Sequence, residues 1–276
     1  MKVKFSLILY LILCFSQLFA ANRWLSYAPR PFRPIQANFL EPRFEYSVLT
    51  NNRFNIVFGS HYPIFETKKE KNDTIPVIQI GMAGAVFNRM QITNGLNFQS
   101  NSYDPIFGIY LDFVKENYSF STQIAHISTH LSEGVFNAQL EKETNFRFSR
   151  EQVKFLGGYT FNVFHFSHRI HSGTTIVFSS VSPSDLRDKL LFAFQAGFDS
   201  SIKLWANMRA FITVDVNART EQNFSVNKHI VFGLRFYGET GSYFSLQATY
   251  YEGHDPRGNF YINKDEFWGL GISYYP

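Results

Sequence analysis

The run His126-Ile127-Ser128-Thr129-His130 sets two imidazoles around one hydroxyl. A serine becomes a nucleophile when a neighbouring base takes its proton, and the base works best when an acceptor orients its ring. Residues 118–130 alternate in hydropathy, and a strand sends every second side chain to the same face. His126, Ser128 and His130 therefore share a face with Tyr118, Phe120 and Ile124. A base and a nucleophile on an otherwise apolar face point to acyl transfer or ester hydrolysis at a lipid boundary.

A carboxylate must complete such a site. The next strand runs from about Phe148 through Val163 and sets Glu151, Val153, Phe155, Tyr159, Phe161 and Val163 against Arg150, Gln152, Lys154, Gly158 and Thr160. Glu151 then lies on the face of His126 and Ser128. Pairing Ser128 with Glu151 would centre the hairpin near residue 139 or 140, inside a connection at 131–145. The candidate catalytic set is Ser128 as nucleophile, His126 as base and Glu151 as orienting acid. His130 is the alternative base, being equally two residues from Ser128. Glu133, Glu141 and Glu143 are further carboxylates that read as solvated loop charges. Without catalysis, the same residues are ordinary polar side chains at a barrel rim. His165, His168 and His171 are spaced by three, which puts neighbours on opposite strand faces, so no metal site is expected. No cofactor is expected either. The sequons at Asn72 and Asn117 mean little in a bacterial envelope protein.

The elements that must position these residues are legible in the composition. Aromatic residues make up 18% of the chain, with 32 Phe and 15 Tyr, yet the mean hydropathy is −0.15. Beyond the amino terminus no long apolar run exists, which excludes a helical membrane protein. Outward apolar residues alternating with inward polar ones give this mixture. The amino terminus itself reads as a secretory signal peptide over residues 1–20: Lys2 and Lys4, an apolar stretch from Phe5 to Phe19, then Ala20 and Ala21. Cys14 is the only cysteine and would leave with it, so no disulfide or thiol chemistry is expected. The formal charge of +4 falls by two when Lys2 and Lys4 go, too little to imply nucleic acid.

Runs of nine to eleven residues alternate cleanly, the length a tilted strand needs to cross the hydrocarbon core. Phe107, Ile109, Leu111 and Phe113 oppose Gly108, Tyr110 and Asp112; Trp268, Leu270, Ile272 and Tyr274 oppose Gly269, Gly271 and Ser273. Segments 191–199, 204–216, 230–236 and 244–250 behave alike. Turn signals part them, among them Asn51-Asn52, Asp104-Pro105 and Asp255-Pro256-Arg257-Gly258. The expected fold is an all-β, antiparallel transmembrane β-barrel of about twelve strands (alternative ten) over 41–276, preceded by an irregular segment at 21–40. A soluble β-sandwich also alternates, but the second face here is small and polar with few lysines, which suits a narrow lumen better than a free surface.

Several blocks resemble a family of bacterial outer-membrane proteins without an assigned activity: Glu41-Pro42-Arg43-Phe44, His126 through Gly134, Phe148-Ser149-Arg150-Glu151, and Gly253 through Tyr261. Within it, the hairpin 118–163 is similar to that of the lipid A 3-O-deacylases, eight-stranded outer-membrane esterases with an outward Ser-His-Glu triad. That resemblance implies His126 as base, Ser128 as nucleophile and Glu151 as acid, with Gly134 or Asn137 as oxyanion donors. The chain departs from it in having more strands, a longer loop before the acid and the extra His130. It further implies a bacterial outer-membrane location, a membrane lipid (lipid A or a phospholipid) as substrate, insertion by the barrel-assembly machinery, and no nucleic-acid partner. The alternative is a non-catalytic barrel, a small pore or a structural envelope protein.

Overall fold

The computed structural model describes residues 23–25, 28–67, 76–93, 97–131, 148–180, 189–239 and 241–276. The signal-peptide reading, Gly134, Asn137 and the glutamates at 133, 141 and 143 lie outside these residues.

The alternation read above becomes thirteen strands among the described residues. A two-residue stub, β1 (Arg23–Trp24), precedes β2 (Phe44–Leu49), β3 (Arg53–Glu66), β4 (Val77–Thr93), β5 (Asn97–Lys115) and β6 (Tyr118–Leu131). Then come β7 (Phe148–Val163), β8 (Phe166–Ser180), β9 (Leu191–Lys203), β10 (Met208–Arg219), β11 (Val226–Tyr237), β12 (Tyr243–His254) and β13 (Lys264–Tyr275). From β2 onward each strand pairs antiparallel with its sequence neighbour, and β13 returns to β2 through pairs such as Ile272↔Tyr46. Twelve strands thus close on themselves, the closed ladder by which a sheet crosses a bilayer. The stub pairs with the far end of β3, beyond the reach of the short β2. Residues 204–207, read from sequence as the start of a strand, form a turn. The spacing of Leu204 and Ala206 matches a strand, but the backbone closes between Leu204 and Met208.

The outer wall is apolar. Phe107, Ile109 and Leu111 are 60%, 51% and 46% exposed, whereas Gly108, Tyr110 and Asp112 between them face inward. Ring contacts gather toward the two ends of the wall: Tyr118 with Tyr159 and Phe44 with Tyr274 at one, Tyr103 with His130 and Tyr250 with Trp268 toward the other. Paired aromatic girdles flanking an apolar band are what a membrane barrel presents to its two interfaces.

The lumen is filled. The segment 28–43 has no regular structure, as its four prolines imply, yet it does not trail outside. It threads the barrel and packs Phe32 and Ile35 against Leu156, Ala37 against Phe211 and Val231, and Phe39 against Leu49, Tyr251 and Phe267. Polar bonds fix it in place. The Arg30 guanidinium donates to Asp112 at 2.6 and 3.0 Å, and Arg169 donates to the carbonyls of Arg33 and Pro34. From the opposite end, the 255–263 connection folds inward. Its Arg257 is 1% exposed and donates to Asn55, and Tyr261 joins a cluster with Val57 and Phe87.

Candidate active site on the outer wall

The candidate residues sit on β6 and β7, and the alternation sends them outward. Ala125, Ile127 and Thr129 face the interior, while His126 and His130 are exposed and Ser128 is partly so. On β7, Arg150 and Gln152 face inward and Glu151 outward. His126 and Glu151 are direct cross-strand partners. The ring Nδ1 lies 2.6 Å from Glu151 Oε1, with 46% and 43% of the two side chains exposed.

The register corrects one expectation. Ser128 does not pair with Glu151; it pairs with Ser149, and Glu151 stands opposite His126. The shift is two residues, so every side chain keeps its face and the hairpin merely centres closer to residue 138. Its chemical effect is to give the carboxylate to the imidazole. A β-sheet brings opposed side chains to about 4.5–5.5 Å at Cβ, within reach of a direct hydrogen bond.

Histidine 130 is engaged elsewhere. Its ring stacks on Tyr103 of β5, centroids 5.0 Å apart and planes within 14°. The two candidate bases are thus distinguished: His126 has a carboxylate on Nδ1, and His130 has an aromatic neighbour and no carboxylate among the described residues. With Nδ1–H donated to Glu151, the lone pair of His126 resides on Nε2, the arrangement a general base needs. Ser128 Oγ makes no hydrogen bond to either ring among the described residues.

Two neighbours escaped the sequence reading. Ser149 faces Ser128 across the ladder, so a second hydroxyl borders the His126–Glu151 pair. Nothing in the sequence signals this, because it depends on register. The other is Pro105. The β5–β6 ladder steps from Tyr103↔His130 to Ile106↔Ile127, leaving Asp104 and Pro105, which pair with β4, without partners on the β6 side, across from Thr129 and Ser128. Proline has no N–H to give, so the sheet loses cohesion beside the candidate nucleophile. Of the three histidines spaced by three, His171 faces inward and bonds to Asp215 at 3.0 Å, while His165 is exposed on the turn at 164–165.

The pair's depth matters. Along β6, Tyr118 and His130 belong to opposite aromatic ends, and His126 lies between them, within the apolar band. Ionisable groups facing lipid are costly and persist where they are paired and used.

A family model described as "Protein of unknown function (DUF1207)" matches residues 14–275. No curated protein is similar enough to count as a match. Among solved structures, the transport unit of the autotransporter AIDA-I from Escherichia coli is 13% identical, covers 95% of this chain and 97% of its own, and has a TM-score of 0.50. The β domain of the Bordetella autotransporter BrkA is 12% identical over 85% and 96%, with a TM-score of 0.47. The outer-membrane expressed OmpT of Vibrio cholerae is 5% identical over 84% and 95%, with a TM-score of 0.40. The AIDA-I likeness is one of fold: the chain is a twelve-stranded barrel of the bacterial outer-membrane kind.

Proposed function

The chain belongs to this DUF1207 family, and from that premise we propose that it is an outer-membrane esterase that hydrolyses an acyl ester of a membrane lipid, lipid A or a phospholipid. The observation that carries the reading is the His126–Glu151 pair, closed at 2.6 Å on the lipid-facing wall beside Ser128. Its position along the barrel supports the substrate class. The tightest turns, 116–117 and 164–165, lie at one end with 67–76, 204–207 and 238–242; the other end carries 50–52, 94–96, 181–190, 220–225, 255–263 and the longest connection, 132–147. Short turns are periplasmic in such barrels and longer loops extracellular, which puts the candidate site toward the outer leaflet.

In the proposed reaction His126 Nε2 takes the Ser128 Oγ proton as Oγ attacks the acyl carbonyl carbon. The tetrahedral intermediate collapses and expels the lipid hydroxyl, which leaves with the proton from His126. Water, deprotonated by the same nitrogen, then cleaves the acyl-Ser128 ester and releases a fatty acid. Glu151 orients the ring and stabilises the imidazolium. An apo site is commonly loose between nucleophile and base, so the absent Ser128–His126 bond does not remove the candidate.

Mass spectrometry of lipid A and phospholipids from expressing cells tests the reading. The expected result is loss of one acyl chain with the native protein and none with Ser128→Ala, both barrels folding equally. An unchanged acylation pattern with a well-folded native barrel would leave the non-catalytic, structural barrel as the reading. The filled lumen speaks against the small-pore alternative.

A further inference from the structure

A separate cavity of about 150 Å³ opens at the short-turn end of the lumen, away from the outer wall. Tyr237 and Tyr243, which flank the 238–242 turn, line it together with Arg33, Arg169, Arg235 and Tyr275. Its charges divide into two groups. Arg30 at its edge is neutralised by Asp112 and Glu41, and Arg169 by Asp199. Arg33 and Arg235 have no carboxylate within ion-pair distance among the described residues. Arg33, at the mouth, donates to the Thr160 hydroxyl at 3.1 Å. Arg235 is 7% exposed; its Nε donates to the Gln36 amide oxygen at 2.6 Å and its guanidinium lies 4.1 Å from the Phe211 ring centroid. Pro276 closes the rim.

A second polar group lines the same cavity. The Tyr275 hydroxyl is buried, the residue being only 2% exposed, and has no hydrogen-bond partner among the described residues. A buried O–H without an acceptor is costly, and so is a buried guanidinium whose neighbouring carboxylate, Asp199, is already bonded to Arg169; an oxyanion in the cavity offers acceptors to both. Guanidiniums match tetrahedral oxyanions through paired N–H donors, and an aromatic-walled pocket strengthens such bonds by excluding water.

We propose that this cavity binds a phosphate-class oxyanion, held by Arg235 and Arg33 and by the Tyr275 hydroxyl. The site does not depend on the esterase reading. Two sources share the chemistry: the free ion, and a phosphomonoester carried on a larger molecule.

Calorimetric titration of the full barrel in detergent, with inorganic phosphate and separately with glycerol 3-phosphate, tests it. The expected result is saturable single-site binding that weakens by about tenfold or more in Arg33→Gln and in Tyr275→Phe. Tighter binding of inorganic phosphate identifies the free ion, and tighter binding of glycerol 3-phosphate identifies a phosphomonoester. Arg33 lies at the exposed mouth, so its variant folds without a buried vacancy. No saturable heat from either anion in a folded barrel overturns the proposal, as does binding that both variants leave unchanged.

Discussion

His126 and His130 stand symmetrically about Ser128 in the sequence, and only their partners separate them. Glu151 on Nδ1 prepares one ring as a base, whereas stacking on Tyr103 occupies the other. The expected consequence is asymmetric. His126→Ala lowers lipid deacylation by about 10²–10⁴-fold, the range general-base removal gives, and Glu151→Gln falls within the same range. His130→Ala stays within about tenfold of native, because a ring without an orienting acceptor contributes little as a base. Initial rates on a purified lipid in mixed micelles check all three. Equal losses at both histidines would refute the assignment of His126. A hydroxyl-reactive fluorophosphonate separates the two serines: labelling is expected to disappear in Ser128→Ala and to persist in Ser149→Ala.

At the scale of the hairpin, the deciding quantity is register. The alternating pattern in β6 and β7 is unchanged when one strand slides by two residues, so periodicity sets the faces and leaves the pairing open. A slide of one would have turned His126 and Ser128 into the lumen, and burial at Ile127 and Arg150 forbids it. The length of the intervening connection could not choose between the two remaining registers. Hydrogen bonding along the ladder does, and it sets Glu151 against His126. Directly opposed positions place Cβ atoms close enough for a disulfide, and a further step along the strand does not. Ser128→Cys with Ser149→Cys is therefore expected to crosslink under mild oxidation, and Ser128→Cys with Glu151→Cys is not. Non-reducing gels after proteolysis between the strands read the outcome, and the reverse pattern would contradict the register.

For the barrel as a whole, the irregular 28–43 segment changes what twelve strands can do. A ring of that size could enclose a channel, but Phe32, Ile35 and Phe39 fill it and Arg30 anchors the segment to Asp112. Planar-bilayer recordings are expected to find no steady conductance in the native barrel and measurable conductance after deletion of residues 28–40. A silent deletion variant that remains folded would show that other residues close the lumen. Arg30→Ala leaves Asp112 buried without its cation, which typically costs about 3–5 kcal/mol. Denaturant unfolding of the refolded barrel is expected to register that loss, and Arg30→Ala with Asp112→Asn to recover part of it.

Local periodicity alone determined the strands, their two faces, the closed architecture they require and the outward position of Ser128, His126 and Glu151, because strand geometry repeats every two residues whatever lies across the sheet. The tertiary structure decided what periodicity cannot carry: which carboxylate meets which imidazole, which hydroxyl faces Ser128, and where a proline-rich leader goes. The plug has no period to read. Its partners Asp112, Arg169 and His229 lie far along the chain and meet it only when the sheet closes around it.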